Sequence, residues 1–146
     1  MLNFDASLQP LIYLVAALIL GSVLGLERTI AHKTAGVRTY GLVSMGSCLF
    51  ILIARYVIPM GENLNFDPLR MAAAVVMGIG FLCGGVIVFK DSTLQGLTTA
   101  AGLWVAAGIG MAVGYGLLNL ALFATLTTLV VFTLFWFIEQ KFVTKN

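Results

Sequence analysis

The chain has 146 residues, of which 60% are hydrophobic and only 10% are charged, and its formal net charge is +2. Soluble domains carry about 25% charged residues, so this composition excludes an ordinary soluble domain and indicates a membrane protein. The small net charge gives no reason to expect nucleic acid as a partner, and the length suits a single transmembrane domain, which we expect to span residues 1–146.

Long apolar runs predict the secondary structure. A helix that crosses the hydrocarbon core of a bilayer needs about 20 mainly apolar residues. Five runs come close to this length or exceed it, at about residues 8–26, 39–58, 68–89, 97–113 and 117–138. We therefore predict an all-α integral membrane protein with five transmembrane helices joined by short connectors, and the lipid bilayer as its first partner.

The cationic residues of the connectors predict the orientation, because Lys and Arg near helix ends are retained on the cytoplasmic side. One face of the predicted bundle collects six of them: Arg28, Lys33, Arg38, Lys90, Lys141 and Lys145. The opposite face has only Arg55 and Arg70, which Glu62 and Asp67 offset. We expect the N-terminus outside and the C-terminus in the cytoplasm.

The first predicted helix leads into the stretch GLERTIAHKTAGVRT, residues 25–39, which is rich in charge and contains the carboxylate Glu27. One interpretation is a cytoplasmic orientation anchor, but an anchor needs no carboxylate. Glu27 has three cationic candidates as ion-pair partners, Arg28, Lys33 and Arg38, and it could instead titrate and bind a cation. Structural pairing is the simpler interpretation, because an interfacial Glu with cationic neighbours needs no further role.

Another polar group opens the third predicted helix. Asp67 suits the N-cap position, and Pro68 suits the first turn, where its missing N–H is not needed. Arg70 lies two residues inside a helix that is otherwise apolar, so it either extends outward to the interface or pairs with Asp67.

Glycines predict where helices approach one another, because small residues let two backbones come close in a membrane. We assign this packing role to Gly21, Gly25, Gly80, Gly84, Gly102, Gly110 and Gly114. Gly-rich helices can also be broken or re-entrant where they line a site. The fourth helix is therefore open to two interpretations, a continuous span and a re-entrant segment.

Few residues are candidates for chemistry. Thr98 and Thr99, near the start of the fourth helix, can satisfy backbone groups or coordinate an ion through their hydroxyls. His32 lies in a cationic loop, and no second catalytic group keeps a fixed spacing to it. We predict no enzyme, no catalytic residue, no metal site and no cofactor. The candidate functional polar residues are Glu27, Arg28, Arg38, Asp67, Arg70, Thr98 and Thr99.

Four ordered motifs carry a family resemblance: GLER (25–28), AGVRT (35–39), DPLR with AAAVVMGIGFL (67–82) and GLTTAAGLWVAAGIGMAVG (96–114). Together they resemble the MgtC/SapB family of bacterial inner-membrane proteins over roughly residues 10–135. The chain departs from the family pattern at Tyr40, where a His is usual, at Ala74, where a Gln is usual, and at Cys83-Gly84, where Gly-Ala is usual.

The resemblance implies a multi-pass protein of the bacterial inner membrane, connected with growth at low magnesium and, in some pathogens, with virulence. Better-studied members resemble regulators of other membrane machinery, including the proton-driven ATP synthase. Larger members add a cytoplasmic ACT-like domain, which we expect this chain to lack because it stops at Asn146. We expect a regulator that contacts further copies or other membrane proteins. The alternative is a subunit of an oligomeric cation or small-solute transporter or channel, since five helices are few for a pathway.

Overall fold

The computed structural model describes residues 4–57, 67–90 and 92–142. Glu62 and Lys145, which enter the predicted charge asymmetry, lie outside these residues. The helices and strands are, in chain order, α1 (Phe4–Ile30), α2 (Val37–Val57), α3 (Pro68–Val86), β1 (Val88–Lys90), β2 (Thr93–Gln95), α4 (Leu97–Gly114), α5 (Leu118–Val130), a π-helical segment (Val131–Phe135) and α6 (Trp136–Phe142).

Five stretches of the described residues are long and apolar enough to cross a membrane, which confirms the predicted number of spans. They are Leu8–Ile30, Val37–Tyr56, Leu69–Val86, Leu97–Gly114 and Leu118–Ile138. The last stretch runs through α5, the π-helical segment and most of α6. The orientation of the termini across the membrane stays a prediction.

Helix α1 is longer than predicted, and this changes the setting of Glu27 and Arg28. We expected the first span to end near residue 26, but α1 continues to Ile30. It ends in a Schellman motif, in which His32 has a left-handed φ of 55° and Lys33 N–H donates to the Arg28 carbonyl at 2.9 Å. Glu27 and Arg28 therefore belong to the last turn of a spanning helix and not to a loop.

The connector between α3 and α4 is a short β-hairpin, which the all-α prediction missed. Strand β1 pairs antiparallel with β2, and Phe89 lies opposite Leu94. Gly96, with a φ of 90°, then turns the chain into α4, and a Cβ at this position would collide with the Val86 carbonyl oxygen. The third span accordingly ends at Val86, three residues earlier than predicted.

Helix α4 is the centre of the bundle and contacts α1, α2, α3 and α5. It is one continuous α-helix of 18 residues, which favours the continuous span over a broken or re-entrant segment. It approaches α2 closely through two glycines. A Cβ at Gly110 would lie 2.7 Å from the Ser44 carbonyl carbon, and a Cβ at Gly114 would lie 2.8 Å from Ile51 Cβ.

Helices α1 and α2 also approach closely at glycines. A Cβ at Gly21 would lie 2.6 Å from Ser44 Cβ, and a Cβ at Gly25 would lie 2.6 Å from Val37 Cα. Such distances leave no room for a side chain, so α1, α2 and α4 form a tight three-helix core. Its buried side chains include Ala17, Leu24, Cys48, Ala106 and Val113.

Helix α3 is packed differently. We expected Gly80 and Gly84 to lie against a neighbouring helix, but a Cβ at either position would meet no atom within 4 Å outside the backbone of its own helix. The reason is that α3 packs through another side, where Ile79 is 6% exposed. The two glycines therefore face away from the described part of the bundle.

Candidate functional site

An ion pair lies at the end of the bundle where α1 ends and α2 begins. Arg28 is only 3% exposed and binds Glu27 with two hydrogen bonds, from Nε to Oε2 and from Nη2 to Oε1, the second at 2.6 Å. Two-point contact of a guanidinium with a carboxylate is the strongest form of this interaction. Both carboxylate oxygens of Glu27 are thereby occupied.

The guanidinium of Arg28 also stacks on an aromatic ring. Its central carbon lies 3.7 Å from the centroid of the Phe132 ring, a cation–π contact that is favourable where water is excluded. Phe132 belongs to the π-helical segment and is itself buried. π-Helical turns inside α-helices often occur at functional sites. The π-helical position of Phe132 therefore supports a functional role for its contact with Arg28. Arg28 thus connects α1 to the last spanning helix.

Tyr40 and Gly102 extend the cluster toward α4. Tyr40 is fully buried, and its hydroxyl donates a hydrogen bond to the Thr99 carbonyl oxygen at 3.2 Å. Gly102 makes room for two aromatic rings at once, because a Cβ there would collide with the Tyr40 hydroxyl and lie 2.6 Å from Phe132 Cζ. We call Glu27, Arg28, Tyr40, Gly102 and Phe132 the arginine cluster.

The turn between α1 and α2 is held by Thr29. Its Oγ1 donates to the Gly25 carbonyl at 2.9 Å and accepts from Val37 N–H at 3.2 Å. The second bond satisfies one of the N–H groups that are left without a partner at the start of every helix. Thr29 therefore fixes the geometry between the helix of Arg28 and the helix of Tyr40.

The other candidate residues lie apart from the arginine cluster. Arg38 and Thr98 are exposed and form no hydrogen bond or ion pair with any described residue. Asp67 caps α3 by accepting from Leu69 N–H at 2.9 Å, and the nearby Arg70 is exposed. Of the three cationic partners considered for Glu27, the structure therefore selects Arg28. Thr99 is the exception, because its backbone carbonyl, and not its hydroxyl, accepts the hydrogen bond from Tyr40 of the arginine cluster.

Sequence reasoning missed Phe132 and gave Tyr40 no role. Phe132 stands in an apolar run with several other aromatic residues, so no pattern distinguishes it. Tyr40 offered a better signal, since it carries a hydroxyl that needs a partner when the ring is buried.

The described residues offer no ready metal site. No group of three His, Cys, Asp or Glu side chains in residues 4–57, 67–90 and 92–142 is arranged to hold a metal ion. The larger cavities are apolar grooves on either side of α3. One, of about 400 Å³, is lined by α2 and α3, and the other, of about 340 Å³, is lined by α3, α4 and α5.

Five spanning helices with a buried Glu–Arg pair at one boundary define a multi-pass helical membrane protein. Residues 14–141 match the family model of the MgtC family, and the chain belongs to that family. No solved structure matches the chain significantly.

The chain is similar to named proteins of several bacteria. The chain is 38% identical over 140 residues to "Putative magnesium transporter YhiD" of Escherichia coli (strain K12), an alignment that covers 93% of this chain and 65% of the relative. It is 36% identical over 95 residues to SapB of Bacillus subtilis, covering 62% and 41% of the two chains. It is 40% identical over 88 residues to MgtC of Brucella abortus, covering 60% and 35%. The chain thus spans less than two thirds of each of these relatives.

Proposed function

We propose that the chain is a non-enzymatic regulator linked to magnesium homeostasis, and that it acts through contacts with other proteins of the bacterial inner membrane. Membership of the MgtC family and the name of the Escherichia coli relative support the link to magnesium. The Glu27–Arg28 pair of the arginine cluster has no net charge. It can therefore stabilise the bundle, but it leaves no net negative charge that would bind a cation.

The unpacked glycines of α3 are the observation that carries the proposal, with Gly80 and Gly84 on one side of the helix and Gly78 and Gly85 on another. A Cβ at Gly78, Gly80, Gly84 or Gly85 would meet no atom within 4 Å outside its own helix backbone. Glycine weakens a helix by about 1 kcal/mol relative to alanine, so an accumulation of glycines on an unpacked helix needs a reason. Small residues and a groove on each side of α3 together suit the close approach of a helix from another membrane protein.

A transporter or channel subunit is the second candidate. The name of the Escherichia coli relative favours it, and so does the presence of ionisable side chains inside a span, since such residues often mark ion pathways. For this function the Glu27–Arg28 pair would have to separate, because the Arg28 guanidinium neutralises the carboxylate charge that would attract a cation.

Site-specific photo-cross-linking in native membranes tests the proposal. A photoreactive residue at Gly80 should capture a distinct membrane protein, because this position faces open space on α3. The matched control is Leu126 on α5, which is 61% exposed and should give only background capture. Equal capture at both positions would count against the proposal.

A flux measurement separates the two candidates. The purified chain in liposomes should leave the internal magnesium, proton and potassium concentrations unchanged on the time scale of a control without protein. Magnesium flux that Glu27→Gln abolishes would favour the transporter and contradict the regulator.

A further inference from the structure

A second polar site lies at the opposite membrane boundary from the arginine cluster. A cavity of about 210 Å³ is lined by Gln9 and Tyr13 at the start of α1 and by Arg55 and Tyr56 at the end of α2. The first span begins at Leu8 and the second ends at Tyr56, so these side chains occupy the outermost turns of the two spans. Along α1, Glu27 is 14 residues beyond Tyr13, or about 20 Å. The two sites are therefore separate.

Several hydrogen-bond donors of the cavity have no acceptor among the described residues. One nitrogen of Arg55, Nη1, donates to the Gly114 carbonyl at 2.8 Å, which fixes the direction of the guanidinium. Its remaining N–H groups have no acceptor among the described residues. The Tyr13 hydroxyl accepts from Gln9 Nε2 at 3.1 Å, so its own proton remains available to a ligand. No described carboxylate lines the cavity.

We propose that this cavity binds a phosphate group, either the phosphodiester of a phospholipid headgroup or free phosphate. A phosphate supplies several acceptor oxygens, and the planar guanidinium of arginine binds two of them at once. The position of the site in the membrane agrees with this ligand, because tyrosines at the ends of spans lie at the level of the lipid headgroups. The apolar wall made by Pro10 and Leu52 is a suitable surface for the glycerol and upper acyl carbons of a lipid.

Native mass spectrometry of the purified full chain tests the site. The chain in detergent is incubated with phosphatidylglycerol or with phosphatidylcholine, and the retained lipid is counted. We expect Arg55→Gln to weaken retention of phosphatidylglycerol about tenfold, the loss typical of a hydrogen bond to a charged group. Tyr13→Phe should weaken it by a smaller factor and leaves the Arg55–Gly114 bond intact, so it checks that a loss in Arg55→Gln does not come from misfolding.

Arg70→Gln is the matched control. Arg70 is an exposed cation near the start of α3, and α3 begins at the same membrane boundary where α2 ends, but Arg70 does not line the cavity. Its loss should leave lipid retention unchanged. Equal losses in Arg55→Gln and Arg70→Gln would overturn the proposal, because retention would then depend only on surface charge.

Two further arms identify the source of the phosphate. If inorganic phosphate binds alone and displaces the lipid, the cavity is a free-phosphate site. If the lipid is retained in excess inorganic phosphate, the cavity is a headgroup site. If neither lipid nor inorganic phosphate binds the unmodified chain, the proposal is wrong. It is also wrong if binding appears only in Glu62→Gln, because Arg55 would then serve a carboxylate of the chain itself.

Discussion

Replacement of Glu27 by Gln tests whether the arginine cluster holds the bundle together. The change keeps the shape of the side chain but removes the negative charge that faces Arg28, which is 3% exposed. Gln offers only one acceptor oxygen for the two N–H donors that now bind the carboxylate. Hydrogen bonds to charged groups contribute about 1.5–3 kcal/mol and neutral ones about 0.5–1.5 kcal/mol. We therefore expect the free energy of unfolding to fall by about 1–3 kcal/mol.

Thermal unfolding in detergent measures this loss. In a chain of this size, the melting temperature falls by about 2–4 °C for each kcal/mol of lost stability. Arg38→Gln is the matched control, because Arg38 is an exposed cation on the next helix with no partner among the described residues. Its effect should stay within about 0.5 kcal/mol. Because Glu27 pairs with Arg28, the charge reversal Glu27→Arg with Arg38→Glu should restore nothing.

A double-mutant cycle isolates the pair itself. Glu27→Gln and Arg28→Gln are each expected to destabilise the chain, and the double variant should lose clearly less than the sum, since no unpaired charge remains buried. Additive losses would refute a direct energetic coupling. A melting temperature of Glu27→Gln equal to that of the unmodified chain would refute the whole reasoning. Complementation of a strain lacking the gene at low magnesium, with membrane abundance measured in parallel, shows whether function follows stability.

Three further predictions concern packing, the aromatic contact and topology. Gly110→Ala should destabilise the chain by about 1–3 kcal/mol because its Cβ meets the Ser44 backbone, while Gly80→Ala, which meets nothing, should be neutral or stabilising; equal melting temperatures would contradict this. Phe132→Leu should lower the free energy of unfolding in both the unmodified chain and the Arg28→Gln variant, but by about 0.5–2 kcal/mol more in the unmodified chain, where the cation–π contact exists. An equal loss in both backgrounds would exclude a cation–π contribution. An alkaline phosphatase fused after residue 146 should be inactive, and periplasmic activity would refute the cytoplasmic C-terminus.

The number of spans was predictable because it depends on hydropathy alone. Each span is an apolar run long enough for a bilayer, and charges separate the runs except between the fourth and fifth, where the uncharged turn at Gly114–Gly116 does so. The end of α1 was not predictable by this rule, because Glu27 and Arg28 read as the beginning of a loop. They continue the helix because both residues favour helices and because pairing offsets part of the cost of burying their charges.

The packing glycines show the limit of the spacing argument. Gly80-xxx-Gly84 and Gly110-xxx-Gly114 have the same spacing, yet the second pair presses against α2 and the first faces open space. Spacing places two small residues on one face of a helix but does not say which face meets a neighbour. That information comes from the position of a helix in the bundle, and α4 is central whereas α3 is peripheral.

Contacts between distant segments could not be read from the sequence at all. Arg28 and Phe132 are separated by more than one hundred residues, and Tyr40 is 59 residues from Thr99. The hairpin after α3 was missed for a different reason. Its strands have only three residues each: β1 continues the apolar run of α3 and so resembles the end of a helix, and β2 follows a short polar stretch that resembles a loop.

The distribution of these contacts makes α3 the helix that another protein can displace most easily. The cation–π contact of Arg28 joins α1 to the π-helical segment, and hydrogen bonds join α2 to α4 through Tyr40 at one end and Arg55 at the other. Among the described residues, the one side-chain bond from α3 to another helix is from Cys83 Sγ to the Ala100 carbonyl. Only 11% of its spanning window is buried, against 56% for α4. A partner that fills the grooves beside α3 would therefore move or fix this helix while the arginine cluster keeps the other four in place.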